Sequence, residues 1–269
     1  MKLCTPYLKP FVDLVVTFAL WIYFTLGFVV FFFPAYLAAF LFAGDRRVAF
    51  QKLNHYFIRG FFRLLRLIVP GLTIETDRQI SDLRSCVIVS NHRSYLDPLI
   101  LIAALKKHST IVKSTFFHTP IFRTVIKTAG YIPSRGDGKL ATLLWQRIER
   151  MQTYLAEGGV LFVFPEGTRS RSGRLNPFNP GAFKIARRCQ APIEVLCITN
   201  TDKLFTPGKF LFNTCVENRI EVRRLQRVSA DEVSRLSIEE LMEAVREIME
   251  NGPAPGLDNK TPAEPSGRY

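Results

Sequence analysis

Two short segments carry residues whose types and spacing could do chemistry. In the first, NHRSYLD, His92 and Asp97 stand five positions apart across what reads as a loop between a strand, CVIVS, and a helix opening at Pro98. An imidazole titrates near neutrality and takes a proton from an alcohol. A carboxylate on its other ring nitrogen fixes the tautomer and stabilises the imidazolium that forms. Asp97 before Pro98 also reads as an N-cap, and His92 as a hydrogen-bonded loop histidine. In the second segment, VLFVFPEGTRSRSGRL, a strand runs into Arg169, Arg171 and Arg174. Guanidinium forks pair with phosphate or carboxylate oxygens, so this loop is a candidate oxyanion clamp, with a solvated basic turn as the competing reading.

The elements that must position these loops follow from the pattern around them. Short β-branched runs at 86–89, 110–112, 160–164, 193–198 and 219–222 alternate with helical patterns at 98–107 and 139–157, the latter stopped by Gly158 and Gly159. Such alternation predicts an α/β domain, a mixed sheet covered by helices, with its chemistry in loops beyond strand ends. Two capping-box patterns, Ser229/Glu232 and Ser237/Glu240, predict an acidic surface helix that closes the domain. The expected organisation is a membrane anchor and interfacial helix over 1–69, one globular domain over 70–250 and a disordered tail over 251–269.

Composition narrows the partners. The chain has 269 residues with 36 Lys+Arg against 23 Asp+Glu, a net +13. Residues 45–228 hold 30 basic and 13 acidic side chains, a net +17, which attracts polyanions: nucleic acid, anionic headgroups or a phosphate-bearing small molecule. There is no RNP-type strand, zinc finger or basic heptad region, so nucleic acid is not the expected partner. Five cysteines without a CxxC predict neither a disulfide framework nor a zinc site, and point to a reducing compartment. Gly-x-Ser-x-Gly is absent, and GDGKL at 136–140 lacks the glycine and hydroxyl of a P-loop.

The amino-terminal quarter differs from the rest. Thirteen of 23 phenylalanines fall within the first 62 residues, and Leu14 to Gly44 is an unbroken uncharged run of 31. As a helix it would measure roughly 46 Å against a hydrocarbon core of about 30 Å. It is too long for a secretory h-region, and Pro34 divides it into either one tilted helix ending near Phe33 or a re-entrant hairpin. Beyond it, Arg59, Arg63 and Arg66 at i, i+4 and i+7 make one basic stripe among aromatic neighbours. That pattern fits an interfacial helix, or a buried helix with one solvated edge.

Taken together, NHRSYLD resembles the HX4D block of the glycerolipid acyltransferase family, whose bacterial prototype is 1-acyl-glycerol-3-phosphate acyltransferase. FPEGTRS resembles the family's second signature, VKSTFFHTPIFRTVIKTAGYIPSRG its intermediate region, and FNPGAFKIA and APIEVLCI its last blocks. All stand in the family's order over roughly residues 80–200. The resemblance implies that His92 is the general base and Asp97 orients it, with the acceptor alkoxide attacking the thioester of acyl-CoA or acyl carrier protein directly. It implies an acceptor pocket formed by Glu166, Gly167, Thr168 and Arg169, with Arg169, Arg135 and Lys113 toward the acceptor's phosphate. No metal and no cofactor beyond the acyl donor are implied. The implied partners are the bilayer, a lysophospholipid acceptor and the donor; the implied product from lysophosphatidic acid is phosphatidic acid, made at the cytoplasmic (inner) membrane by a domain facing the cytoplasm. Another lyso-lipid, such as a lyso-aminolipid, is the alternative acceptor, and a non-catalytic lipid-binding protein the alternative class. Thr115, Phe116, Arg123 and Pro180 depart from the family's common residues and bear on the acceptor.

Overall fold

The computed structural model describes residues 7–252. The expected tail beyond Gly252 lies outside the described residues, as do the first six positions. Seven strands, β1 (Leu72–Thr76), β2 (Cys86–Ser90), β3 (His108–Val112), β4 (Ile132–Pro133), β5 (Val160–Val163), β6 (Ile193–Thr199) and β7 (Asn218–Val228), form one sheet in the order β1-β7-β6-β2-β5-β3-β4. From β6 to β4 the neighbours are parallel, whereas β7 runs antiparallel to β6 and β1 follows β7. The sheet is therefore mixed, as the sequence predicts. Successive residues of β2 feed opposite cores: Cys86 and Ile88 one, Val87 and Val89 the other. Helices cover both faces for that reason.

One face is packed by α3 (Arg46–Ile68) and α4 (Leu96–Ala104). The other is packed by the helices Met151–Ala156, Gly181–Arg188 and Ile238–Glu250. The acidic segment is two helices, Ala230–Arg235 and Ile238–Glu250, because each capping box starts its own.

The apolar run is neither ended nor folded back at Pro34. Helices α1 (Lys9–Ile22) and α2 (Phe33–Phe42) join through π-wound turns at Tyr23–Phe32 into one continuous helix of 34 residues. The wider turns place the irregularity just before the residue that lacks an N–H. The chain reverses where Asp45 caps α3, its Oδ1 accepting from the Val48 N–H at 3.0 Å. Helix α3 then runs back along the first helix. The Tyr23 hydroxyl donates to the Phe57 carbonyl at 2.7 Å, and Phe24 packs edge-on against Phe57 and Phe61. The apolar side of α3 is thus spent on protein contacts, leaving Arg59, Arg63 and Arg66 exposed. One continuous core runs from Val16 through α3 to Val222, so residues below 70 share their packing with the α/β domain. The outer side of the long helix, with Phe11, Phe18, Trp21, Leu26, Phe31 and Leu41, stays bare, an apolar surface larger than a monomer in water commonly shows.

The first helix is also tied at its beginning. Asp13 Oδ1 accepts from the Thr214 N–H at 2.8 Å and from its hydroxyl at 2.7 Å, and the Phe212 N–H donates to Thr17 Oγ1 at 3.0 Å. Cys86, Cys189 and Cys197 are free thiols, and burial pushes Cys86 up to about 12, so it is packing and not a nucleophile. Cys215 is disulfide-bonded, which departs from the expected set of reduced thiols.

A buried polar chain joins four elements. His108 Nδ1 donates to the Leu105 carbonyl at 2.8 Å, its Nε2 accepts from the Tyr131 hydroxyl at 2.8 Å, Asn54 Nδ2 donates to Tyr131 at 3.1 Å, and the Tyr36 hydroxyl donates to Asn54 Oδ1 at 2.5 Å. Burial holds His108 down at about 4, against an ordinary 6.5. The unfolded imidazole takes up its proton below pH 6.5 and the folded one only near 4, so acid favours the unfolded state across that window. We expect a loss of about 1.4 kcal/mol per pH unit, about 3 kcal/mol in all, full stability from this group being present above 6.5. Thermal melts of the wild type and His108→Gln from pH 7 to 4.5 check this. The variant starts less stable but loses less on acidification, and parallel curves would refute the assignment.

Candidate active site

Strands β6, β2, β5, β3 and β4 all point the same way, so the loops at their carboxyl ends share one edge of the sheet. His92 follows β2, Glu166 to Arg169 follow β5, Lys113 follows β3, Arg135 follows β4, and Thr201 follows β6.

The loop after β2 is built from backbone pairing. Asn91 imitates a strand residue: its Nδ2 donates to the Ile198 carbonyl at 2.8 Å and its Oδ1 accepts the Ile198 N–H at 2.7 Å. The next residue, His92, is therefore fixed at the edge. Its Nδ1 lies 2.9 Å from Asp97 Oδ2, in the first turn of α4. Asp97 is fully buried, and its carboxylate is saturated. Oδ2 also accepts the N–H groups of Arg93 at 2.6 Å and Ser94 at 2.7 Å, and Oδ1 accepts the Thr201 hydroxyl at 2.5 Å. The N-cap reading of Asp97 does not hold: α4 starts at Leu96 with Tyr95 at its N-cap, and the Asp97 carboxylate bonds back to the loop before the helix instead of capping it. A carboxylate can only accept, so Nδ1 carries the proton and Nε2 keeps its lone pair. The ring lies against Phe164 at 4.5 Å between centroids, and the imidazole side chain is 16% exposed.

Glu166 is placed differently from the pocket residue the resemblance implies. It is buried, with Oε1 accepting the His92 N–H at 2.8 Å and Oε2 the Asn176 N–H at 2.9 Å. It braces the two signature loops together, and Ser170 N–H to the His92 carbonyl at 2.8 Å closes the same joint. Gly167 turns at φ +66°, where a Cβ would stand 2.9 Å from Asn179 Nδ2, so the turn requires glycine. Thr168 is exposed beside it. Arg169 lays its guanidinium 3.5 Å over the centroid of Tyr95, inside the HX4D loop, and its buried Nη1 has no partner among the described residues. Arg171 and Arg174 point outward.

Lys113 and Arg135 are exposed on neighbouring loops stitched by Ser114, whose hydroxyl meets Arg135 at its carbonyl (3.0 Å) and its N–H (2.9 Å). They emerge two and three strands from β2, about 10 and 14 Å along the sheet. They share the edge with the dyad but touch neither it nor Arg169. Thr201, Phe164 and Tyr95 escaped the sequence reading. The signal for Thr201 was available: a hydroxyl directly beyond the strand IEVLCIT, on the edge where all the chemistry was expected.

The geometry is that of an imidazole held by a buried carboxylate, with a guanidinium on the adjoining loop whose Nη1 has no partner among the described residues. A family model described as Acyltransferase matches residues 71–199, the stretch that builds this edge. That stretch, just under half of the chain, carries the match to the acyltransferase family. Among curated relatives, a chloroplastic 1-acyl-sn-glycerol-3-phosphate acyltransferase of Brassica napus is 32% identical over 123 residues, 46% of this chain and 35% of that one. The chain thus spans about a third of the plant relative's length. The human 1-acyl-sn-glycerol-3-phosphate acyltransferase beta is 26% identical over 209 residues, 77% of this chain and 72% of that one, and the Saccharomyces cerevisiae 1-acyl-sn-glycerol-3-phosphate acyltransferase is 27% identical over 76% and 68%. The crystal structure of a 1-acyl-sn-glycerophosphate acyltransferase from Thermotoga maritima shares the acyltransferase fold, with TM-score 0.67, 23% identity and coverage of 89% of this chain and 94% of that one.

Proposed function

We propose that this acyltransferase is membrane-bound and moves a fatty acyl group from acyl-CoA or acyl carrier protein to the free hydroxyl of lysophosphatidic acid, giving phosphatidic acid. One observation carries the reading: His92 has Nδ1 held by a buried carboxylate and Nε2 with no partner among the described residues, on the loop adjoining Arg169, whose Nη1 has none there either. Nε2 takes the acceptor's proton as its oxygen attacks the thioester carbonyl. The C–S bond breaks as the tetrahedral centre collapses, and the proton passes from Nε2 to the leaving thiolate. Asp97 balances the imidazolium that exists between those steps. A thioester is already activated, so the step needs neither metal nor cofactor. Arg169 holds the acceptor's phosphate over the Gly167–Thr168 turn, with Lys113 and Arg135 drawing the anion to the edge. The named substrate of the plant, human and yeast relatives supports this choice.

The bare side of the long helix sits in the cytoplasmic membrane, and the domain stands on its cytoplasmic side, where both acyl donors are found. A lyso-aminolipid acceptor is the second reading, left open by Thr115, Phe116 and Arg123, which depart from the family's common residues in the intermediate region. The two part on Arg169→Ala. Losing a charge-assisted clamp raises KM for lysophosphatidic acid by about tenfold to a hundredfold and leaves a neutral monoacylglycerol unaffected. Thiol release from acyl-CoA measures both, and equal effects would move the assignment to the other acceptor class.

A further inference from the structure

The stripe Arg59, Arg63 and Arg66 takes no part in the acyl-transfer geometry, yet the fold builds something around it. The three side chains line one wall of a cleft of about 360 Å³, and Arg78, from the turn after β1, lines the other. Between them lies an apolar floor that includes Phe62, Ile74, Ile100 and Ala103. None of the four guanidinium groups has an acidic partner among the described residues. The one acid in the wall, Asp77, accepts the Arg224 N–H at 2.7 Å. Four like charges from two separate elements repel one another across a low-dielectric floor, and an anion between them removes that repulsion. Guanidinium forks match phosphate oxygens, and an apolar floor continuing from them suits a molecule whose charged end carries hydrocarbon. The cleft lies on the face of α3 turned away from the long apolar helix, since Arg59 and Arg63 stand about 200° around α3 from the Phe57 and Phe61 that meet that helix. It is not the acyl-transfer site. The cleft takes Thr76 and Asp77 from the carboxyl end of β1, and β1 runs opposite to β6 and β2, so it opens at the other edge of the sheet from His92.

We propose that this cleft is a second, non-catalytic site that holds the phosphate headgroup of an anionic phospholipid. The proposal does not depend on the acyl-transfer reading. The test uses the full chain in detergent micelles carrying Arg169→Ala, so that the acceptor clamp contributes nothing, with bound lipid counted by native mass spectrometry. Phosphatidic acid should bind in this background and phosphatidylcholine should not. Adding Arg59→Gln, Arg63→Gln and Arg66→Gln together should weaken phosphatidic acid by about a hundredfold, and Arg78→Gln alone, on the opposite wall and outside α3, by about fivefold. The single variant keeps the test valid if the triple one does not fold. Undiminished phosphatidic acid binding in these variants overturns the site. Equal retention of phosphatidylcholine, or displacement by millimolar inorganic phosphate, overturns the assignment to a charged lipid. Failure here leaves Arg169→Ala kinetics untouched, and the reverse also holds.

Discussion

Replacing His92 with alanine lowers kcat by about a thousandfold while leaving the fold in place, the middle of the range that positioned general-base help supplies. The selectivity of the loss follows from what the ring touches. His92 gives one hydrogen bond, to Asp97 Oδ2, and that oxygen keeps the Arg93 and Ser94 N–H groups when the imidazole is gone. No buried donor is orphaned, because the backbone N–H of residue 92 still reaches Glu166. In the proposed function Arg169, not His92, holds the acceptor's phosphate, so its KM changes little. Free thiol released from acyl-CoA by the purified protein measures the effect, and retention of more than a tenth of wild-type kcat would remove His92 from the base's role.

Substituting Asp97 separates charge from geometry. Asparagine is a near isostere, and its amide oxygen can take the place of Oδ2 with the His92, Arg93 and Ser94 donors, its NH2 group facing a Thr201 hydroxyl rotated to accept. Asp97→Asn therefore folds and keeps the imidazole's tautomer, but loses the negative charge that balances the imidazolium. Opposite unit charges about 4 Å apart interact by about 4 kcal/mol at an effective dielectric near 20, so kcat falls by about a thousandfold with little change in melting temperature. Asp97→Ala loses the charge and also strands the Arg93 and Ser94 N–H groups, a destabilisation of about 2–5 kcal/mol on top of the kinetic loss. Calorimetry beside steady-state kinetics distinguishes the two. Equal melting temperatures for both variants would show that the carboxylate is not the joint of this loop.

The dyad was legible because its spacing spans a strand and a helix start, two elements that periodicity announces. The brace was not. Glu166 stands in a recognisable block, yet its partners are backbone groups, one of them 74 residues away, which no local pattern predicts. The position of Thr201 just past β6 was readable, whereas its partner, 104 residues distant, was not. The proline rule alone predicted a break at Pro34, and π-winding over the preceding ten residues overrode it. Both capping boxes were read correctly from sequence. Eight residues apart, they could not belong to one helix, and the chain makes two. The two-residue strand β4 pairs only through Ile132 and Pro133, too short for any alternation to show.

The segment from Thr201 to Thr214 begins on the buried acid and ends on the long apolar helix. Thr201 holds Asp97, the Phe205 carbonyl receives the Ser94 hydroxyl at 2.8 Å, Phe212 stacks on Phe205, and Phe212 and Thr214 fasten to Thr17 and Asp13. Surface connections ordinarily absorb inserted or deleted residues at small entropic cost. This one is a gauge bar clamped at both jaws: adding or removing a single residue would have to shift either the long apolar helix or the His92–Asp97 pair, so its length is set by the distance it spans.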